Sequence, residues 1–190
     1  MEADWEVEVG GDARVIEAQW AGFVDLRAAP EDASRLTEAC QLSALAPALA
    51  RLNAAGSPVW TSKCDVWTLD AFDPDELDAP REAALHGMAC YIDLLPGREG
   101  QWATAAAAAA WCKRLCARLR EIALRACRVD CVVRGAHIGG EGLVYGVTAY
   151  LSAAGPDAAA ASDVLSAALA AFADSVAGIQ PPAAAASKLQ

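Results

Sequence analysis

Apolar and polar residues alternate with a period of two in several runs, the signature of strands whose successive side chains face opposite ways. Trp5, Val7 and Val9 alternate with Glu6 and Glu8 before the turn residues Gly10-Gly11-Asp12. Further runs predict strands over about 14–26, 59–69 and 87–95, the last broken by Pro96-Gly97. Two more, over about 127–137 and 143–152, are joined by Gly139-Gly140-Glu141-Gly142, where glycine supplies the positive φ of a hairpin turn. Between the strand pairs the apolar spacing becomes helical. Pro30-Glu31-Asp32 opens a helix over about 30–53, which Pro47 is expected to kink or split. A second helix is expected over about 101–126, and a third from Gly155-Pro156-Asp157 to about Ala177.

A short echo runs through these elements. Phe23-Val24-Asp25-Leu26 recurs as Tyr91-Ile92-Asp93-Leu94 and, more faintly, as Tyr150-Leu151-Ser152-Ala153. Each copy ends a strand-like run that precedes an alanine-rich helical stretch. The layout is therefore that of ββα units, three in succession, although identity alone does not separate a repeat from coincidence.

Alternation also assigns faces. One collects Ile16, Ala18, Trp20, Val24 and Leu26 with Trp60, Cys64, Val66, Cys90, Ile92, Val129, Cys131 and Val147, and is expected to pack under the helices. The other collects Gln19, Phe23 and Asp25 with Lys63, Asp65, Trp67, Tyr91, Asp93, Asp130, Arg134 and Tyr150. The predicted fold is an α+β two-layer sandwich: a largely antiparallel sheet, helices on one face, and a mixed aromatic and charged surface on the other.

At 190 residues the chain suits one domain, read here as 1–178, followed by a disordered Ala/Pro-rich tail at 179–190. The net charge of −10 speaks against nucleic acid as a partner and favours cationic or metal-bearing ones. Residues 1–12 are acidic and polar, unlike a signal peptide, and no run of strongly apolar residues is long enough to predict a membrane span. Seven cysteines without a CxxC pair read as buried reduced thiols, which implies a cytoplasmic setting. No cofactor motif and no metal-ligand spacing is present: the glycine turn lacks the strand–loop–helix context of a phosphate or dinucleotide site.

The second sheet face is the candidate site. Lys63, Asp65, Asp93, Asp130 and Arg134 could converge there beside Trp67, Tyr91 and Tyr150. Neighbouring carboxylates would raise one another's pKa and the cations would lower them, so acid–base work is chemically open. Exposed aromatics favour instead a surface that meets a second copy (a homo-oligomer, with a dimer preferred), a protein partner or a small ligand. Cross-strand ion pairs on a solvated sheet are the plain alternative. Of the remaining features, Lys113, Arg114, Arg118, Arg120, Arg125 and Arg128 form a basic stripe read as a solvated face. His137, ending a strand beside the glycine turn, is a weak candidate base. The expected function is thus a binding or assembly module, with a small enzyme using the Asp/Lys/Arg groups of the same face as the alternative.

Overall fold

The computed structural model describes residues 1–11, 13–18, 20, 22–139 and 144–179. The expected glycine turn lies largely outside them, as do Gln19 and nearly all of the 179–190 tail. Six strands, β1 (Glu2–Val7), β2 (Ile16–Glu17), β3 (Val59–Leu69), β4 (His86–Pro96), β5 (Cys127–His137) and β6 (Val144–Gly155), make one sheet ordered β1-β5-β6-β4-β3, with β2 also on β5. The helical segments are a 3-10 turn at Pro30–Arg35, α1 (Thr37–Gln41), α2 (Leu45–Leu52), α3 (Ala105–Arg120) and α4 (Ala158–Ala177). α3 packs over β1 and β5, α4 over β6 and β4, and α2 against α4, so the helices share one side of the sheet. An α+β sandwich is what the alternation predicts.

The long helices begin where side chains can satisfy free backbone N–H groups. Thr104 Oγ1 accepts from Ala107 N–H at 3.2 Å, and Asp157 Oδ1 accepts from Ala160 N–H at 2.8 Å. Each then presents an apolar stripe to the sheet: Trp111, Cys112, Leu115, Cys116 and Leu119 on α3, and Leu165, Leu169, Phe172 and Val176 on α4, all essentially inaccessible. By length and composition α4 could cross a membrane, which the sequence reading did not anticipate because so much of its apolar content is alanine. Here its stripe packs on the sheet as that of a core helix, while Asp163, Ala167, Ala170 and Asp174 face outward.

Four expectations change. The strand over 14–26 shrinks to Ile16–Glu17, and the chain beyond it crosses the sheet face opposite the helices. The helix over 30–53 becomes three short segments, split between Gln41 and Leu45 as expected of Pro47, which sits in the first turn of α2, where a missing N–H costs nothing. The first unit is not a hairpin, because β1 and β2 each pair parallel with β5 and not with one another. Only the second and third units are antiparallel ββα pairs, and the sheet is therefore mixed.

The fourth change concerns faces. Between Thr61 and Cys64 the register of β3 shifts, so Ser62 and Lys63 together oppose β4 where one residue would. The extra residue inverts the alternation. Cys64 and Val66 face the helices as expected, but Trp60 faces the other way. With Ile16, Ala18, Leu95 and Ala136 it forms a second, smaller core, roofed in part by Phe23. Ile16 packs so closely on β6 that a Cβ at Gly146 would lie 2.8 Å from its Cδ1 and 2.9 Å from the Leu94 carbonyl. Trp20 lies edge-on to Phe23 at 5.1 Å on the same side, so Ile16, Ala18 and Trp20 also lie opposite the helices.

The start of β3 is tied to the end of α2 by one side chain. Asn53 donates to Leu49 O at 2.8 Å and Thr61 Oγ1 at 2.7 Å, and accepts from Thr61 N–H at 3.0 Å, all buried. Asn53→Ala strands a buried N–H and a buried hydroxyl and is expected to cost about 2 kcal/mol in urea unfolding. A loss below about 0.5 kcal/mol would mean that water replaces the amide.

Candidate functional site

Sheet register brings the echoed residues together. Tyr91 on β4 stands directly opposite Tyr150 on β6. Asp65 on β3 opposes Tyr91, Asp130 on β5 opposes Tyr150, and Asp4 on β1 opposes Asp130. A single row thus crosses five strands on the face away from the helices: Asp65, Tyr91, Tyr150, Asp130, Asp4. Trp67 lies two residues along β3 from Asp65, its ring 6.3 Å from Tyr91, and the Tyr91 and Tyr150 rings are 6.1 Å apart. Lys63, Asp65, Trp67, Tyr91, Asp93, Asp130, Arg134 and Tyr150 therefore share one face. The first copy of the echo stands apart from it: Phe23 packs toward Trp60, and Asp25 is held by its neighbour Arg27 at 2.8 and 2.6 Å.

The carboxylates do not converge. Asp65 and Asp130 are three strand spacings apart, about 14 Å. Each takes its own partner. Asp130 binds Arg128 Nε at 2.8 and 2.7 Å, and Asp65 Oδ1 accepts the N–H of Val66 at 2.8 Å. At the opposite edge Asp4 Oδ1 accepts Trp5 N–H at the same distance. Both outermost strands thus have a backbone donor occupied by the preceding aspartate, a local block to edge-to-edge pairing.

Asp93, in the adjacent row, is fully buried. Thr148 Oγ1, directly across on β6, donates to its Oδ1 at 2.6 Å, and Arg14 Nη2 lies 3.2 Å from Oδ2. Burial raises its pKa above the ordinary carboxylate value, against the lowering pull of Thr148, Arg14, Arg134 and Lys63. Other carboxylates, which the sequence reading invoked, are not the cause. Arg14 also covers Tyr91, 5.0 Å from the ring centre, and Tyr91 is raised chiefly by burial. Arg134 donates to Glu8 Oε2 at 2.8 and 2.6 Å and to Tyr150 Oη at 3.1 Å. Lys63, in the bulge, sits 4.9 Å over Trp20.

Arg14 and Glu8 escaped the sequence reading because alternation placed them in strands of their own. In the fold they reach 79 and 126 residues along the chain. The segment that carries Arg14 closes one side of this face and reaches over Tyr91, and the side bearing Trp67, Tyr150 and Asp130 stays accessible. Beside it, a hollow of about 290 Å3 is lined by Asp4, Trp5, Glu6, Glu76, Arg128, Asp130 and Cys131. A larger hollow, about 880 Å3, lies at the other end of the sandwich beside Trp60, Trp102 and Pro96-Gly97. Its Arg27 is already engaged by Asp25 and stacked on Trp60 at 4.1 Å.

The other candidates are structural in their surroundings. Much of the basic stripe is committed: Arg118 to the Gly178 carbonyl, Arg120 to that of Ala3, and Arg125 to Asp78. Cys90, Cys112, Cys116, Cys127 and Cys131 are buried, and burial pushes the Cys90 thiol up to about 12; Cys40 is exposed. His137 is exposed at the end of β5 and alternates with Ala136, out of register with the aromatic row. Among the described residues no group of His, Cys, Asp and Glu side chains is placed to hold a metal ion. Compared with protein-family models, curated proteins and solved structures, the chain matches none of them.

Proposed function

We propose that the chain is a binding module and that the open half of its sheet face is the binding surface. One observation carries this reading. Trp67, 37% exposed, and the half-buried Tyr91 and Tyr150 form a continuous aromatic row, on a sheet whose other half is covered by the chain's own segment bearing Arg14, Ile16 and Phe23. A sheet that buries part of one face and leaves Trp67 uncovered beside two partly exposed tyrosines on the rest has a surface suited to a partner. The alternative, a small enzyme using Lys63, Asp65, Asp93, Asp130 and Arg134, has less support: Asp93 is occluded, and Asp65 and Asp130 stand far apart.

The test pairs two measurements on the wild type and on a Trp67→Ser/Tyr150→Ser double variant. Light scattering over a concentration series reads self-association. Tryptophan emission reads binding from a panel of cationic, anionic and neutral peptides and charged metabolites. Association or binding that the wild type shows and the folded double variant loses is the expected result. Wild type and variant that behave alike throughout would overturn the reading.

A further inference from the structure

Resting on this binding reading, we infer that the occupant of the face is a basic segment of another protein, laid across the strands with its arginine or lysine side chains on Trp67–Asp65 at one edge and in the acidic hollow at the other. The inference follows from what the face has already used. Its cations are engaged internally: Arg14 with Asp93, Arg134 with Glu8, Arg128 with Asp130, and Lys63 on Trp20. Lys63, on Trp20, has no carboxylate partner; the other charges left without an ion partner among the described residues of this face are carboxylates, Asp65, Glu6 and Glu2. A second copy would set the same unpaired acids against themselves, which opposes self-pairing, and the net charge of −10 adds to that repulsion.

The aromatics carry the same message. Tyr91 has Arg14 over its ring at 5.0 Å, and Tyr150 has Arg134 at 5.6 Å. Trp67 has no cation over it among the described residues, although it is the most exposed ring of the row and has Asp65 beside it on the same strand face. A tryptophan face next to a free carboxylate is the chemistry that receives a guanidinium or ammonium. At the far edge, the hollow of about 290 Å3 sets four carboxylates, Asp4, Glu6, Glu76 and Asp130, against one cation, Arg128, which engages Asp130 and Asp4 and leaves Glu6 and Glu76 unmatched within the hollow. It sits just below the size range of small-molecule pockets, about 300–1,000 Å3, and suits one long side chain. From Trp67 on β3 to Asp4 on β1 is four strand spacings, about 19 Å, which an extended peptide covers in about six residues.

The probe is therefore a ten-residue Gly/Ser peptide with two arginines six positions apart, titrated into the full chain and followed by nitrogen–proton NMR. Controls carry glutamate, or serine, at the same positions. The arginine peptide is expected to move the Trp67 indole N–H and the Tyr150 amide. Its affinity is expected to fall roughly fivefold in Trp67→Ala and again in Asp65→Asn, and to weaken as salt rises. Both positions are exposed on an edge strand, and an unchanged amide spectrum elsewhere confirms folding. If the glutamate or serine peptide moves the same resonances equally well, the inference fails while the binding reading stands. It also fails if Trp67→Ala leaves the arginine peptide's affinity unchanged, or if the wild type pairs with itself through this face. If no peptide of any charge moves these resonances and the chain stays monomeric, both fail.

Discussion

Arg14→Ala is expected to destabilise the fold by about 2 kcal/mol at pH 7, while Asp93→Asn leaves stability unchanged or slightly raised. The asymmetry comes from where each partner sits. Asp93 is wholly buried, whereas the Arg14 side chain is 39% exposed. Removing the arginine leaves a buried carboxylate with Thr148 as its remaining close donor. Breaking a buried pair in this way costs about 3–5 kcal/mol, reduced here because water can enter where Arg14 was. Removing the carboxylate's charge strands less: the amide oxygen of the substituted side chain can still accept from Thr148, the neutral amide NH2 replaces the oxygen that met Arg14, and Arg14 turns to solvent.

The pH dependence follows in sign. The folded-state pKa of Asp93 lies above its ordinary value of 3.8, so the native state holds that proton more tightly than the unfolded chain. Its contribution is fully present below pH 3.8 and is lost as pH rises through the folded value. Any advantage of Asp93→Asn over the wild type therefore grows from acid to neutral pH. The Arg14→Ala penalty shrinks toward acid pH, where a protonated Asp93 needs no cation. Urea unfolding of the variants at about pH 4 and pH 7 measures both trends. Equal losses for the two variants at neutral pH would show that the pair itself, and not the stranded acid, sets the energy.

Gly155→Val is expected to cost about 3 kcal/mol, or a fall of roughly 9 °C in Tm for a chain of this size. β6 ends at Gly155, and the first turn of α4 descends directly onto it. An added Cβ would lie 2.6 Å from Ala161 N, 2.9 Å from the Ala160 carbonyl carbon and 3.0 Å from Ala160 Cβ. Two of these are backbone atoms that no rotamer can move aside, so the helix itself must lift from the sheet and open the apolar layer beneath Leu165. Gly11→Ala, with no atom within 4 Å of the added carbon, serves as the control and should stay within about 0.5 kcal/mol. A Gly155 variant as stable as the control would mean that the α4 turn is free to shift.

Much of this fold was legible in the alternation. The spans 59–69 and 127–137 match the observed strands residue for residue, and the pattern assigns Cys90, Ile92, Val129, Cys131 and Val147 to the helix-covered face. These features are local, because a period of two or 3.6 is set by the geometry of one element alone. The helix starts were local too, and Asp157 caps α4 where Gly155-Pro156-Asp157 placed its beginning.

The bulge at Ser62-Lys63 left no mark in the composition of β3, since an extra residue exists only relative to the strand opposite. It turned Trp60 to the other face and opened a second core that alternation could not foresee. The residues 14–26 alternate well enough for a strand, yet beyond Glu17 the described residues leave it, and Ile16, Ala18 and Phe23 pack with Trp60 in the second core.

By itself, the sequence determined the four long strands, the start of the last helix and most of the side chains that face the helices, all properties that reach only a few residues along the chain. The tertiary structure decided that Tyr91 faces Tyr150, that Arg14 closes over Asp93 from 79 residues away, and that Trp67 stays open. Those outcomes depend on strand register and loop closure, which arise only when distant segments compete for the same surface.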